Sequence, residues 1–278
     1  MTPIIHRLVL CTAVMLLAAC ASKTPLQVEG VSKTGQQYTA TLKKVNEFAL
    51  NHSLEFTADL LPNLPRTDAT LQQQSEALRE RAELLWQVDD YFDVQAMYFA
   101  QLEALAKGDH SSGTEQALKK LVEALNKAPD VGGIPRVAKE AVAGLAGHVS
   151  SWKHSAAVKQ VLMRDAETVA QSLLLNQRIL EAQINWINQR ENLARQVEYR
   201  EKVQKPFVGD KNLTETWKKA WVASIKRPPA IELLEQAKQA SVGMQQAWLD
   251  VLRGQGSFEH MRETFELINQ NIQGSKQP

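Results

Sequence analysis

Three aspartates stand close together in the segment WQVDDYFD, at Asp89, Asp90 and Asp93. Asp89 and Asp93 are four residues apart, so they share one face if the segment is helical. Two carboxylates on one face could bind a cation or carry out the acid–base steps of glycan hydrolysis. We favour a solvated acidic face beside the apolar residues Val88 and Phe92, because a hydrolase needs a cleft and no other segment indicates one.

A second candidate group is the segment TWKKAW, in which Trp217 and Trp221 flank Lys218 and Lys219. An indole has an apolar body and a polar N–H, which suits a membrane interface or the centre of a protein interface. Neighbouring lysines suit an anionic lipid surface. The alternative, which we favour at this stage, is that both indoles pack against the long helices, as large aromatic side chains commonly do.

The remaining search for catalytic chemistry is negative. The sequence lacks the patterns HExxH, GxSxG and CxxC, and it has no glycine-rich phosphate loop. His148 and His154 are six residues apart and would lie on different faces of a helix, so they do not predict a metal site. We expect no catalytic residue, no metal and no cofactor. The formal net charge of +1 gives no overall electrostatic reason to bind nucleic acid.

The first twenty residues carry a targeting pattern. Residues 8–17 (LVLCTAVMLL) are apolar except for one threonine, a length typical of a signal peptide and too short to span a bilayer. The tetrad Leu17-Ala18-Ala19-Cys20 that follows resembles the lipobox of bacterial lipoproteins. The resemblance implies cleavage before Cys20 and a diacylglycerol on its sulfur. Because Ala21 and Ser22 follow, instead of an aspartate, it also implies the outer membrane.

The composition favours helix throughout the rest of the chain, and we divide it into three parts. Residues 1–19 are the predicted signal peptide. Residues 20–37 contain the lipidated cysteine and a polar stretch with one proline and two glycines, which we interpret as a flexible tether. Residues 38–278 are the predicted all-helical domain.

Two long segments without glycine or proline dominate that domain, at 68–107 and 148–205. Apolar residues recur every seven positions in the first of them, at Leu71, Leu78, Leu85, Phe92, Phe99 and Ala106. A sustained repeat of this kind predicts a stripe that packs along another helix. The sequence therefore predicts an all-α fold, an elongated antiparallel bundle or coiled-coil hairpin, with residues 108–147 as a small helical head and shorter C-terminal helices packed on it.

Smaller features of these segments remain open. Asn176 stands between Leu173 and Leu180 in the apolar seam, where a buried asparagine can specify helix register; it could equally turn to solvent. Thr67 or Asp68 could cap the first long helix, and Asn212 with a glutamate three residues later is similar to a capping box.

The stretch from 131 to 152 (VGGIPRVAKEAVAGLAGHVSSW) lies at the expected tip of the hairpin. This layout resembles the stalk-and-head arrangement of helical pore-forming proteins. Insertion of the tip into a bilayer would have to bury or neutralise its charged residues. Its small residues also allow close helix packing, which is the interpretation we favour.

These features together predict a non-enzymatic lipoprotein of the bacterial envelope, anchored to the membrane by its N-terminal lipid. We expect it to serve as an interaction, assembly or regulatory factor for an envelope protein, with self-association as a further possibility. The alternative is a membrane-active helical protein. A glycan hydrolase that uses the three aspartates is the least expected function.

Overall fold

Helices make up nearly all of the residues that this computed structural model describes, namely 23–109, 112–127, 156–210, 212–226, 229–254 and 258–275. A 3₁₀ turn covers Leu61–Asn63 and a π-helical turn covers Arg200–Gln204. No strand occurs in these ranges, so the predicted all-α class is confirmed. The α-helices are α1 (Lys23–Leu60), α2 (Asp68–Ala106), α3 (Ser112–Lys127), α4 (Ala156–Tyr199), α5 (Lys205–Gly209), α6 (Glu215–Ile225), α7 (Pro229–Leu252) and α8 (Glu259–Ser275).

Four long helices, α1, α2, α4 and α7, surround one apolar core. The closest pairs are α1 with α2 and α4 with α7, and α7 also packs along α1. The helix α8 covers α1 and α7 as a fifth member, burying Phe265, Ile268 and Ile272. The largest side chain in the core is Trp248, which is fully buried and donates from Nε1 to the carbonyl of Ala166 over 3.1 Å.

The predicted pairing of the two long glycine-free segments is only partly right. The helices α2 and α4 are antiparallel, since Tyr98 bonds Asp165 near one end of the seam and the Arg81 guanidinium lies over Trp186 near the other. However, they meet through large side chains, and each has a closer neighbour, α1 for α2 and α7 for α4. A repeat in the sequence shows that a helix has a buried stripe, but it does not show which helix covers that stripe.

The predicted flexible tether is wrong for residues 23–37, which form the first four turns of α1. Val28, Val31 and Ser32 are fully buried there. The two glycines that suggested flexibility are sites of close packing. A Cβ on Gly35 would lie 2.5 Å from the ring of Phe99, and one on Gly30 would lie 2.8 Å from the ring of Phe258. Glycine is needed here for contact between elements, not for chain flexibility.

The predicted head is described only in part. The helix α3 packs on α2 and α4 and buries Thr114, Ala117 and Leu121. The stretch 131–152 lies outside the described residues, and so do Cys20 and the tetrad residues Leu17, Ala18 and Ala19. The signal peptide, the lipid attachment and the behaviour of the tip therefore stay predictions.

Asn176 lies in the core, which confirms the buried alternative. Its Nδ2 donates to the Tyr38 hydroxyl over 3.0 Å and to Gln95 Oε1 over 2.8 Å. Tyr38 in turn donates to Ser241, so this polar layer joins α1, α2, α4 and α7. Only the amide oxygen of Asn176 lacks a partner in this layer among the described residues. The paired groups disfavour other alignments of the helices, because a shift would leave them unpaired as well.

Helix capping was predicted correctly at one helix and wrongly at another. The hydroxyl of Thr67 accepts from the backbone N–H of Thr70 and caps α2. At α6 the capping residue is Thr214, which accepts from the N–H of Trp217, and Asn212 lies before the cap. Threonine at 214 serves because it directly precedes the first helical residue, where its hydroxyl reaches the free N–H groups.

Candidate functional site

The long helices of the bundle give way to a π-helical turn and two short helices where α4 ends. The π-helical turn Arg200–Gln204 leads into α5, which has Pro206 in its first turn, and α6 folds back beside the end of α4. Trp217 anchors this return: its Nε1 donates to the carbonyl of Val203 over 3.0 Å. Its ring stacks between Phe207, at 5.6 Å between centroids, and Trp221, at 6.2 Å. A wide π-helical turn followed by a three-ring stack thus builds a defined surface at one end of the bundle.

The favoured expectation that both indoles pack against the long helices is wrong for one of them. Trp217 is half-buried, with its ring against Phe207 of α5 and its Nε1 on the carbonyl of Val203 in the π-helical turn that continues α4. Trp221 keeps 43% of its surface exposed, and no residue of α6 is fully buried. The physical reason is position: α4 extends beyond the end of α1, so α6 has no second long helix to pack on.

Several large apolar side chains in this part of the chain face solvent. Six of them lie between residues 207 and 225: Phe207, Val208, Leu213, Trp221, Val222 and Ile225. Val208 is 84% exposed and Ile225 is 66% exposed. Single exposed apolar residues are ordinary, but a group gathered on two short helices and their connection indicates an interaction site. We call the exposed side chains of residues 205–226 the α5–α6 surface.

The α5–α6 surface is also positively charged. Between residues 200 and 226 the sequence has seven lysines and arginines and three aspartates and glutamates, an excess of four positive charges in a chain of net charge +1. Lys218 lies 3.3 Å from Glu215 and Lys205 lies 2.6 Å from Glu201, both as exposed pairs. Lys219 and Lys226 form no ion pair with any other described residue. Cations around an exposed apolar centre favour a partner with negative charge at its rim.

A groove lies between the end of α4 and α6. Its volume is about 670 Å³. Tyr199, Val203, Ala220 and Ala223 supply apolar walls, and the charged residues Arg195 and Lys226 also line it. This space would admit side chains of a docked partner.

The three aspartates, Asp89, Asp90 and Asp93, are placed on the side of α2 that meets α1. Asp93 pairs with Lys43 at 2.7 Å, Asp89 accepts from Asn46 over 2.8 Å, and Asp90 is exposed. Burial raises the pKa of Asp89, and the amide of Asn46 opposes that rise. Among the described residues, no group of three or more histidine, cysteine, aspartate or glutamate side chains could hold a metal ion.

A second polar cluster joins α1 to α4 near the α5–α6 surface. His52 Nε2 lies 2.5 Å from Glu191 Oε1, and Arg195 bonds the other oxygen of the same carboxylate. Glu191 is only 5% exposed. Burial opposes its ionisation, but the hydrogen bonds from His52 and Arg195 outweigh burial and lower its pKa. This cluster links α1 to α4 near the point at which α6 folds back beside α4.

The sequence-based search missed a third group, formed by Arg81, Trp186 and Arg190. Both guanidinium groups lie over the ring of Trp186. A signal for it existed: Arg81 is three residues after Leu78 and four before Leu85, so it occupies a position of the apolar stripe. A charged residue in such a position is unusual, because positions of an apolar stripe are normally buried.

Comparison of this chain with family models, with curated proteins and with solved structures finds no match. Across the described residues, no helix combines the length and the apolar character needed to cross a membrane.

Proposed function

We propose that this protein is a non-enzymatic, lipid-anchored lipoprotein of the bacterial envelope that binds an envelope protein through the α5–α6 surface. The observation that carries the proposal is the group of exposed apolar side chains on α5 and α6, surrounded by an excess of lysines. The lipobox-like tetrad at Cys20 supports the anchor.

The relative positions of the two ends of the bundle support a protein partner over the anchoring membrane. The helix α1 begins at Lys23, only three residues after Cys20. Tyr38 contacts Asn176, and α4 then continues past the end of α1 to the turn at Val203. At 1.5 Å per residue, the start of α1 and the α5–α6 surface are roughly 60 Å apart along the bundle. An upright anchored bundle would present this surface far from its own membrane.

The chemistry of the α5–α6 surface defines the partner that it fits. The exposed rings of Phe207 and Trp221 and the side chain of Ile225 would be buried at the centre of the interface, where aromatic residues contribute most of the binding energy. Lys219 and Lys226 would face acidic residues at its rim, where charges mainly raise the association rate. The partner is therefore a protein with an apolar patch bordered by aspartates and glutamates.

Photo-crosslinking in the native cell tests the proposal. A photoreactive amino acid is introduced at Lys219, Val222 and Ile225, and as a control at Trp86 and Leu267, which are 57% and 55% exposed on other helices. We expect one dominant envelope protein to be captured from the three α6 positions and not from the controls. Equal capture from all five positions would contradict the proposal.

The same experiment separates two other outcomes. Crosslinks between copies of the chain would indicate self-association through the α5–α6 surface, and lipid adducts would indicate membrane contact. The membrane-active alternative is supported by the exposed tryptophan and the lysines of α6. It predicts dye release from anionic liposomes by the full-length protein at neutral or acidic pH, whereas the proposed function predicts none.

A further inference from the structure

Two arginines from different helices lie beside one tryptophan in the seam between α2 and α4. The guanidinium carbon of Arg81, on α2, is 4.7 Å from the ring centroid of Trp186, on α4. That of Arg190, one turn further along α4, is 5.7 Å from the same ring. Each contact is a cation–π interaction, so two positive charges gather around a single indole.

These arginines lack the partners that buried charges normally have. Arg81 is only 8% exposed and donates no hydrogen bond to any described residue, and its Nε is buried without a partner. Arg190 donates from Nη2 to Thr57 and Gln74, but its Nε is also buried and unpartnered. Neither forms an ion pair with a described carboxylate. Burial lowers the pKa of Arg81 to about 10. A buried, unpaired guanidinium is costly for the folded protein, which suggests a function for it.

An open groove is lined by Arg81 and Trp186. Its volume is about 610 Å³, and its walls include the apolar residues Ala77, Leu84 and Ala182 and the amides of Asn185 and Gln189. Glu80 also lines it, but its side chain is exposed and does not pair with Arg81.

The helix α3 packs on α2 and α4 at another part of the same seam. The carboxylate of Glu115, near the start of α3, interacts electrostatically with Arg164 of α4 and favours its charged form. With 16 residues, α3 reaches only about 24 Å along α4, which is 44 residues long. Among the described residues, α3 packs near Arg164 and a groove remains at Trp186.

We propose that this groove binds a carboxylate side chain carried by an extended peptide segment of a partner protein. The planar fork of a guanidinium matches a carboxylate, which would give Arg81 the charged partner that it lacks among the described residues. The amides of Asn185 and Gln189 can bond a peptide backbone, and Leu84 offers an apolar contact to a neighbouring side chain. The site does not depend on the α5–α6 surface.

Binding of defined peptides to the purified full-length protein tests this site. The probe is a rhodamine-labelled peptide of alternating leucine and glutamate, followed by fluorescence anisotropy. We expect it to bind wild type, and the matching leucine–glutamine peptide to bind at least about tenfold more weakly, because the charged hydrogen bonds are lost. Inorganic phosphate is a third probe: competition by phosphate at the same concentration as the peptide would overturn the preference for a carboxylate on an apolar peptide.

The substitution Arg81→Met with the matched control Arg79→Met locates the site. Arg79 is exposed on the same helix, two residues away. We expect Arg81→Met to weaken peptide binding about tenfold or more and Arg79→Met to leave it unchanged. Arg81→Lys keeps the charge without the fork and should bind with intermediate affinity.

Urea denaturation of the same variants separates a binding residue from a structural one. Because Arg81 forms no hydrogen bond or ion pair with any described residue, we expect the unfolding midpoint of Arg81→Met to equal or exceed that of wild type. A lower midpoint would show that Arg81 holds the fold together and would overturn the proposal. So would unchanged peptide binding by a well-folded Arg81→Met variant. Replacing Trp221 with serine must not change peptide binding, which keeps this test independent of the α5–α6 surface.

Discussion

Asn176 of α4 donates a hydrogen bond to the hydroxyl of Tyr38 on α1, over 3.0 Å, with both side chains buried. The same amide nitrogen donates to Gln95 on α2, and Tyr38 donates to Ser241 on α7. Two residues that are 138 positions apart in the chain thus organise the contact of all four core helices. The bundle is aligned by polar pairs as well as by apolar packing.

Replacing Asn176 with leucine should destabilise the protein by about 1–3 kcal/mol, because Gln95 Oε1 stays buried without a donor. Urea denaturation measures this change. The double variant Asn176→Leu with Gln95→Leu removes both partners, and we expect it to recover part of the loss. If the loss in the double variant equalled the sum of the losses in the two single variants, the two amides would not interact.

The substitution Gly35→Ala tests the packing of the first turns of α1. A Cβ there would overlap the ring of Phe99, so we expect a loss of about 1–3 kcal/mol in the free energy of unfolding. The matched control is Gly274→Ala, which has no atom within 4 Å of its new Cβ and should be neutral or slightly stabilising. If Gly35→Ala behaved like the control in urea denaturation, residues 23–37 would not be packed as described.

Glu191 should contribute to the pH dependence of stability. Its pKa is lower in the folded protein than its ordinary value of 4.5, so the unfolded chain binds a proton more readily. Its contribution is therefore fully present above pH 4.5 and is lost as the pH falls through the lower folded value. We expect Glu191→Gln to lose about 1–3 kcal/mol at pH 7 and progressively less as the pH falls below 4.5.

The control for this prediction is Glu198→Gln, which alters an exposed pair with Lys202 and should change stability little at either pH. Asp165 contributes to the pH dependence of stability in the opposite direction. Burial raises its pKa, although the neighbouring Arg164 opposes that rise. Its ionisation disfavours folding as the pH rises through that raised value. A loss for Glu191→Gln that did not depend on pH would contradict the assignment to its charge.

Replacing Trp217 with leucine should release α6 without unfolding the bundle. The indole supplies the hydrogen bond to Val203 and the stack with Phe207, and no residue of α6 is fully buried. We expect amide hydrogen exchange to rise at least tenfold in α6 and to stay unchanged in α1 and α7. Trp86→Leu, at an indole 57% exposed, is the matched control. Unchanged exchange in α6 would mean that other contacts hold it.

The helical class and several local features could be predicted from the sequence. The repeat from Leu85 to Phe99 marked a buried stripe of α2, and Thr67 marked its start. Leu71, the first member of the repeat, is nevertheless 54% exposed, because the stripe continues past the part of α2 that other helices cover. Periodicity reports the face of a helix, and burial of that face depends on its neighbours.

The candidate sites were harder to predict. Trp217 and Trp221 were recognised by residue type, but only the return of α6 beside the end of α4 distinguishes the anchored indole from the exposed one. The arginine pair at Trp186 was not predicted, because Arg81 and Arg190 are 109 positions apart in sequence. A charged residue within the apolar stripe was the one local sign of it.

The sequence by itself determined that this chain is helical, because helix propensity, apolar spacing and capping act over a few residues at a time. It also carries the lipobox-like tetrad, which is a short linear pattern. The tertiary structure decided which helices pair, that Gly30 and Gly35 serve close packing, and that two distant arginines share one indole. Those outcomes depend on side chains that meet only after the chain has folded, so no local pattern contains them.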